Sequence, residues 1–489
     1  MFGKRARKVI FLSLYMLLFT GILLLVVNAV TKGRLSRLLR PVRISDAPNI
    51  VLIVLDTLRA DHLTQYGYAF KTSPMLDKLA SQSVLFENAF STSSWTIPAT
   101  SSLLSGLHPV RHGTTKEGDK LSLGVTTIAE TLNDLGYDTA GFSDNIHIGR
   151  DFNFHQGFDT FFDFKGKGAL AYPDMSEMMG RVKSWVRHHR GDERPFFIYM
   201  QPMNCHGPYK VPRKYRKVLF PNGPSMRFRY YRQPMADIMW GGKTARRKEV
   251  TKPYVESLVE QYDTAVRYST DQIGRLLTFL KKRDLYDDTL IFLTSDHGEE
   301  LFDHGGFAHG YSLFNEVVRI PLMMKLPKQT SSRKEQSLVS LMDIYPTIID
   351  ILDSAPKTRM DGRSLLPLLG IPGSAGTREA AKGFKARRVL LSLDWKERAV
   401  MNGTVDAEYK YLDVLHDYSG RREEKLLFHL PTDPGEKKNL GEKKRDVVNR
   451  LQRRVDDMSK AYASDRPLPA ENTHDKMNVE ALKALGYIQ

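Results

Sequence analysis

From Asn49 the chain runs Asn-Ile-Val-Leu-Ile-Val-Leu and then turns polar at Asp56. A strand with one wet face alternates apolar and polar positions. This unbroken, β-branched run is instead what a strand buried on both faces requires, as in a parallel sheet. Leu290-Ile291-Phe292-Leu293-Thr294 repeats the pattern and gives way to Ser295-Asp296-His297. Around these runs, helix-like segments and short apolar strands alternate through Leu76–Gln82, Thr126–Leu135, Asp138–Phe142, Pro195–Met200, Glu256–Lys282 and Thr289–Thr294. Such alternation predicts an α/β sandwich around a mainly parallel central sheet. Beyond Gly383 the rhythm changes. Val389–Leu393 and Tyr409–Val414 read as antiparallel strands, and Asn439–Ser464 as a closing amphipathic helix. The chain therefore divides into 1–47, a larger α/β domain at 48–383, a smaller C-terminal α+β subdomain at 384–465, and a tail at 466–489.

The N-terminus follows another rule. Ile10 to Val30 contains no charged residue and no proline, and at about 1.5 Å per residue it spans a ~30 Å hydrocarbon core. It predicts a single-pass membrane anchor with the remaining chain outside the cytoplasm. Lys4, Arg5, Arg7 and Lys8 precede it and Lys32, Arg34, Arg37, Arg40 and Arg43 follow, so charge alone does not fix its orientation. Val27-Asn28-Ala29 could be read as a signal-peptidase site, but the apolar stretch is longer than a signal peptide needs.

The net charge of +16 calls for an anionic partner: nucleic acid, a membrane face or an anionic substrate. No zinc-finger spacing or RNP-like motif accompanies the basic residues, so no nucleic-acid partner is expected. The single cysteine, Cys205, excludes an intrachain disulfide and a cysteine metal cage. Met226–Lys248 mixes Arg227, Arg229, Arg232, Arg246 and Arg247 with Phe228, Tyr230, Tyr231 and Trp240. It reads as an insertion near the mouth of a site, or equally as a solvated loop.

Open α/β sheets bind ligands at the carboxyl ends of their strands. Two strand ends here deliver polar groups there: Asp56, and Asp296-His297 ahead of Gly298-Glu299-Glu300. Two carboxylates and an imidazole suit a hard or borderline divalent cation, although either acid alone could be a helix N-cap. The segment Ser94-Trp95-Thr96-Ile97-Pro98-Ala99-Thr100, running on to Gly106, puts a hydroxyl where a loop enters a helix. There free N–H donors and the positive dipole end suit a tetrahedral anion, and Thr96 is either a nucleophile or a simple cap.

At this point the chain resembles the sulfatase family of the alkaline phosphatase superfamily. Val54-Leu55-Asp56-Thr57-Leu58-Arg59-Ala60-Asp61-His62-Leu63 looks like its opening signature, and Thr96 to Gly106 like its Cys/Ser-x-Pro-x-Arg segment. Ser295 to Glu299, Arg319-Ile320-Pro321-Leu322, Asp343 to Thr347 and Asp433 to Leu440 match later signatures in the same order. The resemblance implies an alkaline-phosphatase-like fold and one divalent metal ion, with Ca, Mg, Mn and Zn not distinguished. Asp56, Thr96, Asp296 and His297 would hold it, and Thr96 would also be the nucleophile. His206 and His309 would act as catalytic histidines, and Asn145 would contact substrate.

Three positions depart from the pattern: Thr96 stands for the Cys or Ser that matures to formylglycine, Thr100 for an Arg, and Thr57 for a second Asp. Oxidised threonine would give a ketone, not an aldehyde. These changes resemble the threonine-using branch of the superfamily, which includes lipoteichoic-acid synthases and phosphoethanolamine transferases. The expectation is attack on a phosphate ester of an envelope glycolipid or polymer. A sulfuric ester hydrolase is the alternative, and a non-catalytic module binding anionic glycans is the third reading.

Overall fold

A computed structural model describes residues 47–163, 175–189, 194–221, 249–370, 389–395, 399–417 and 421–464, with isolated positions elsewhere. The expected anchor at Ile10–Val30, the Met226–Lys248 insertion and the tail from 466 lie outside these stretches. Among the described residues no helix is long and apolar enough to cross a membrane.

The strands are β1 (Asn49–Val54), β2 (Val84–Phe90), β3 (Asp138–Ser143), β4 (Thr160–Phe162), β5 (Phe196–Gln201), β6 (Thr289–Thr294), β7 (Glu300–Leu301), β8 (Phe307–Ala308), β9 (Arg319–Lys325) and β10 (Arg333–Ser340). Eight of them form one sheet in the order β10-β2-β9-β6-β1-β5-β3-β4, while β7 and β8 make a small hairpin. Only β9 runs against the other seven in that sheet. The apolar run at β1 is buried on both faces, as its lack of alternation requires. Ile50, Leu52 and Val54 enter one core with α1 (Thr96–Ser105) and α5 (Ile344–Ile351), while Val51, Ile53 and Leu55 enter the other with α3 (Met175–His188) and α4 (Lys252–Lys281). Between these helices, α2 (Ile128–Asp134) starts from a capping box in which Thr127 and Glu130 each accept a hydrogen bond from the other's backbone N–H.

A second, antiparallel sheet comprises β11 (Val389–Trp395), β12 (Ala399–Val405), β13 (Tyr409–His416) and β14 (Arg422–His429) in sequence order. Here period-two patterning governs: Leu391, Leu412 and Phe428 join the main core, while Leu390, Tyr411 and Leu427 lie under Val448, Leu451 and Val455 of α6 (Arg445–Ala463). The closing helix begins at Arg445, six residues later than expected. Asn439 is occupied otherwise, its side-chain oxygen accepting the Leu427 N–H at 3.0 Å while the Leu440 N–H donates to the Leu427 carbonyl at 2.8 Å. That turn is strapped to β14 and cannot also coil.

One buried ion pair locks the two sheets' domains together. Lys410 Nζ lies 2.8 Å from Glu436 Oε1 with both side chains fully buried. The other Glu436 oxygen accepts the Asn315 N–H at 2.6 Å, and Lys410 donates to Asn315 Oδ1 at 3.0 Å. Breaking such a pair strands a charge, whereas neutralising both partners does not. Glu436→Gln alone should cost about 3–5 kcal/mol of stability, with most of it recovered in Lys410→Met/Glu436→Gln, as read by denaturant unfolding.

Candidate active site

β1 and β6 are parallel neighbours with Val54 opposite Thr294, so residues two beyond each strand end arrive together. Those residues are Asp56 and Asp296, both fully buried. Neither caps a helix. Thr57 then adopts φ 59°, a left-handed conformation that costs a β-branched residue on the order of 1–3 kcal/mol. The reversal lets its N–H approach Asp296 Oδ1 at 3.4 Å, and Tyr262 secures it by donating to the Thr57 carbonyl at 2.8 Å.

Thr96 is the first residue of α1, not its cap. Trp95 occupies the cap position in extended backbone, and no side chain there bonds the helix. The Thr96 hydroxyl is therefore left for other work. Its Oγ1 lies 3.2 Å from His297 Nε2 and 3.4 Å from Asn145 Nδ2. His297 donates from Nδ1 to the Gly298 carbonyl at 2.9 Å, which leaves the Nε2 lone pair facing inward. That nitrogen is 3.5 Å from Asp296 Oδ2 and 3.9 Å from Asp56 Oδ1. Burial lowers the His297 pKa, which favours the neutral ring over the cation.

The carboxylates bear on what the cradle can hold. Burial, with the neighbouring Asp296 charge second, pushes Asp56 up to about 6; burial pushes Asp296 up to about 7. Asp56 Oδ1 is buried without any hydrogen bond, and Asp56, Asp296 and His297 each offer an atom within 4.8 Å of the others. Two desolvated anions and an imidazole lone pair, one oxygen orphaned, fit a divalent cation.

Asn145 and Gln201 steady this set. Asn145 Nδ2 donates to Asp56 Oδ2 at 2.6 Å; Gln201 Nε2 donates to Asp296 Oδ2 at 3.0 Å and approaches Asp56 Oδ2 at 3.3 Å. The Gln201 amide is orientated by its oxygen, which accepts from Tyr199 and, at 3.4 Å, from Thr100. Sequence reasoning missed Gln201, although it is the polar end of an apolar strand, the signal that exposed Asp56.

Two further histidines extend the row. The His309 ring lies 4.4 Å from that of His297 and 4.8 Å from that of His206. His206 follows β5 and donates from Nδ1 to the Gly207 carbonyl at 2.6 Å; burial lowers its pKa. His309 Nδ1 is 3.3 Å from Glu299 Oε1. Glu299, also missed, is fully buried, and burial reinforced by the Asp56 charge holds its carboxyl well above the usual range. Arg59 braces the loop carrying both: it pairs with Asp303 at 2.7 Å and donates to the Glu299 carbonyl at 3.1 Å. The Gly310 N–H donates to the Ser94 carbonyl at 2.9 Å, tying the His309 loop to the Thr96 loop. All seven residues singled out from sequence thus meet at one end of the sheet.

A buried hydroxyl at a helix start, beside a carboxylate and imidazole cradle at the carboxyl edge of a mainly parallel sheet, suits metal-dependent ester cleavage. The sulfatase family profile matches residues 48–354, and the chain belongs to that family. A second profile, the C-terminal region of N-sulphoglucosamine sulphohydrolase, matches residues 303–461. Human iduronate 2-sulfatase is 26% identical over 384 residues, covering 66% of this chain and 67% of its own. The multifunctional alkaline phosphatase superfamily protein PehA of Trinickia caryophylli is 25% identical over 478 residues, covering 80% and 91%. Among solved structures, the phosphonate monoester hydrolase of Agrobacterium radiobacter superposes with a TM-score of 0.66 at 20% identity, covering 85% of this chain and 96% of that one. The fold is thus the alkaline-phosphatase-like α/β type, with a mainly parallel central sheet and a small C-terminal antiparallel sheet.

Proposed function

We propose that the protein cleaves or transfers a phosphate ester of an envelope glycolipid or polymer, with Thr96 as the nucleophile. The observation that carries this reading is the position of Thr96 Oγ1, 3.2 Å from His297 Nε2 within the ligand cradle and free of any capping duty. Asp56, Asp296, His297 and Thr96 would hold the metal, which when bound would supply Lewis acidity to the ester and to the threonine hydroxyl. Thr96 Oγ1 gives up its proton to solvent and attacks the phosphorus as the alkoxide. The bond to the leaving alcohol breaks, and a phosphothreonine remains. An anionic substrate offsets the burial that lowers the His206 pKa, so its imidazolium can deliver a proton to the departing alkoxide, with His309 beside it as the alternative donor. Water, or an acceptor alcohol, then attacks the phosphothreonine and releases Thr96. Asn145 steadies both Asp56 and Thr96 and lies within reach of the transferred group.

A sulfuric ester is the second reading, favoured by the named activity of relatives such as iduronate 2-sulfatase. Threonine favours phosphate, because the hydrated aldehyde that serves sulfate transfer is not accessible from it. With matched aryl phosphate and aryl sulfate substrates, turnover should favour the phosphate by at least about tenfold, a difference of about 1.4 kcal/mol in barrier. A preference of that size for sulfate overturns the phosphate reading. Trapping with substrate followed by mass spectrometry should place the added group on Thr96. For localisation the reading is an Ile10–Val30 anchor with the catalytic domain outside the cytoplasm, to be checked by protease protection in spheroplasts.

A further inference from the structure

The loop that carries His206 continues into a strongly basic rim. From Lys210 to Pro221 it contains Lys210, Arg213, Lys214, Arg216 and Lys217, all exposed, and no acid. In sequence the bias runs further: residues 204–248 hold twelve Lys or Arg against Asp237 alone, most of the +16 net charge of the whole chain. The described part is not a loose tether. Tyr215 is buried, meets Tyr268 of α4 edge-on at 4.8 Å, and accepts a hydrogen bond from Arg275 at 3.2 Å.

Apolar side chains share this rim. Val218 is 44% exposed; Phe70, beside the exposed Lys71, is 48% exposed and lies 5.8 Å from Phe220. The nearby acids are already engaged, Asp271 by Arg267 at 3.0 Å and Asp61 by Arg59 at 2.8 Å. Phe70, Val218 and Phe220 thus give the cationic rim an apolar component of its own. That combination suits a surface with anionic headgroups above an apolar layer.

We propose that this rim, Phe70–Lys71 with Lys210–Phe220, docks on an anionic phospholipid surface beside the active site. The cations meet the headgroup phosphates, while Phe70, Val218 and Phe220 enter the interface. His206 would then open towards the membrane rather than towards bulk water. The docking rests on the proposed activity only for its purpose, and it is tested without substrate.

Cys205 is buried, so Val218→Cys provides one addressable thiol for an environment-sensitive fluorophore. The full chain is reconstituted in vesicles of phosphatidylcholine, alone or mixed with phosphatidylglycerol, that carry nitroxide-labelled lipid. Quenching should be at least about threefold stronger with the anionic lipid, and about 1 M salt, which shortens the screening length to ~3 Å, should reverse it. Arg213→Glu/Lys214→Glu/Arg216→Glu/Lys217→Glu should abolish the difference, and Lys214→Glu/Lys217→Glu should halve it should the fourfold variant fold poorly. A control label at Lys443→Cys, in the exposed turn before α6, should stay unquenched. Equal quenching in both lipids, equal quenching at the control, or a response to soluble polyphosphate but not to anionic vesicles overturns the proposal. Aryl ester turnover in solution should be unchanged by the charge reversals, so a failure of docking and a failure of the esterase reading are told apart.

Discussion

Thr96→Ala should lower kcat on the preferred aryl ester by at least about 10³-fold, equivalent to about 4 kcal/mol of transition-state stabilisation. The substitution removes the atom that would form the covalent bond while sparing the structure that holds it. Thr96 is the first residue of α1 and caps nothing, and alanine is at home there. The hydroxyl's neighbours keep their own anchors: His297 at the Gly298 carbonyl, Asn145 at Asp56, and Asp296 at the Gln201 amide. Thermal stability should therefore change little. Thr96→Ser keeps the nucleophilic oxygen and should stay within about tenfold of the parent. A module that only binds anionic glycans gives the opposite pattern, with ligand affinity unmoved by Thr96→Ala and no turnover to lose. Steady-state kinetics with the three proteins, alongside melting curves, decides between them. Unchanged turnover in the alanine variant removes the nucleophile assignment outright.

Particular residues explain what was legible. The runs at β1 and β6 announced themselves because strands buried on both faces cannot alternate, and a polar residue ending such a strand has a place to act. β9 was hidden for a physical reason: Pro321 sits inside it, and proline argues against a central strand. The structure absorbs the proline where β2 shifts register between Phe86 and Ala89, opposite Leu322 and Ile320. Glu299 was hidden because a carboxyl next to a Gly in a polar loop looks solvated, and only tertiary packing buries it against His309. The start of α6 was misplaced because Asn439 serves a neighbouring strand, a partner invisible to local periodicity. Apart from Asn145, the candidate site residues could be picked out because each belongs to a motif. Their convergence was not, since it depends on the in-register neighbouring of β1 and β6 and on α1 starting beside them.

The second large effect concerns the two aspartates, and its sign depends on metal. In the folded chain Asp296 titrates at about 7 and Asp56 at about 6, both raised by burial from the ordinary carboxyl value. A raised carboxyl favours the folded state while protonated, so its contribution is whole below the unfolded pKa of about 4 and is lost as pH rises through the folded value. For Asp296 alone the loss by pH 8 is roughly 4 kcal/mol, taking about 1.36 kcal/mol for each pKa unit. Because the Asp296 charge is part of what raises Asp56, the two losses overlap and do not simply add. The chelated protein should therefore melt at progressively lower temperature between pH 5 and pH 8, because the loss runs from about pH 4 through the folded values of about 6 and about 7. Divalent metal displaces the same protons, so its affinity should climb over that interval, and a thousandfold excess over Kd should return about 4 kcal/mol at pH 8. Asp296→Asn separates the two effects. Without metal at pH 8 it should melt above the parent, partly offset because the new amide faces the Gln201 amide nitrogen, whose oxygen Tyr199 already holds. With metal it should show almost no stabilisation and should lose at least about 10³-fold in turnover. Melting curves at both pH values, with chelator and with added Mg, Ca, Mn or Zn, read every arm. A parent whose stability ignores both pH and metal would mean that the two carboxylates do not share a cation.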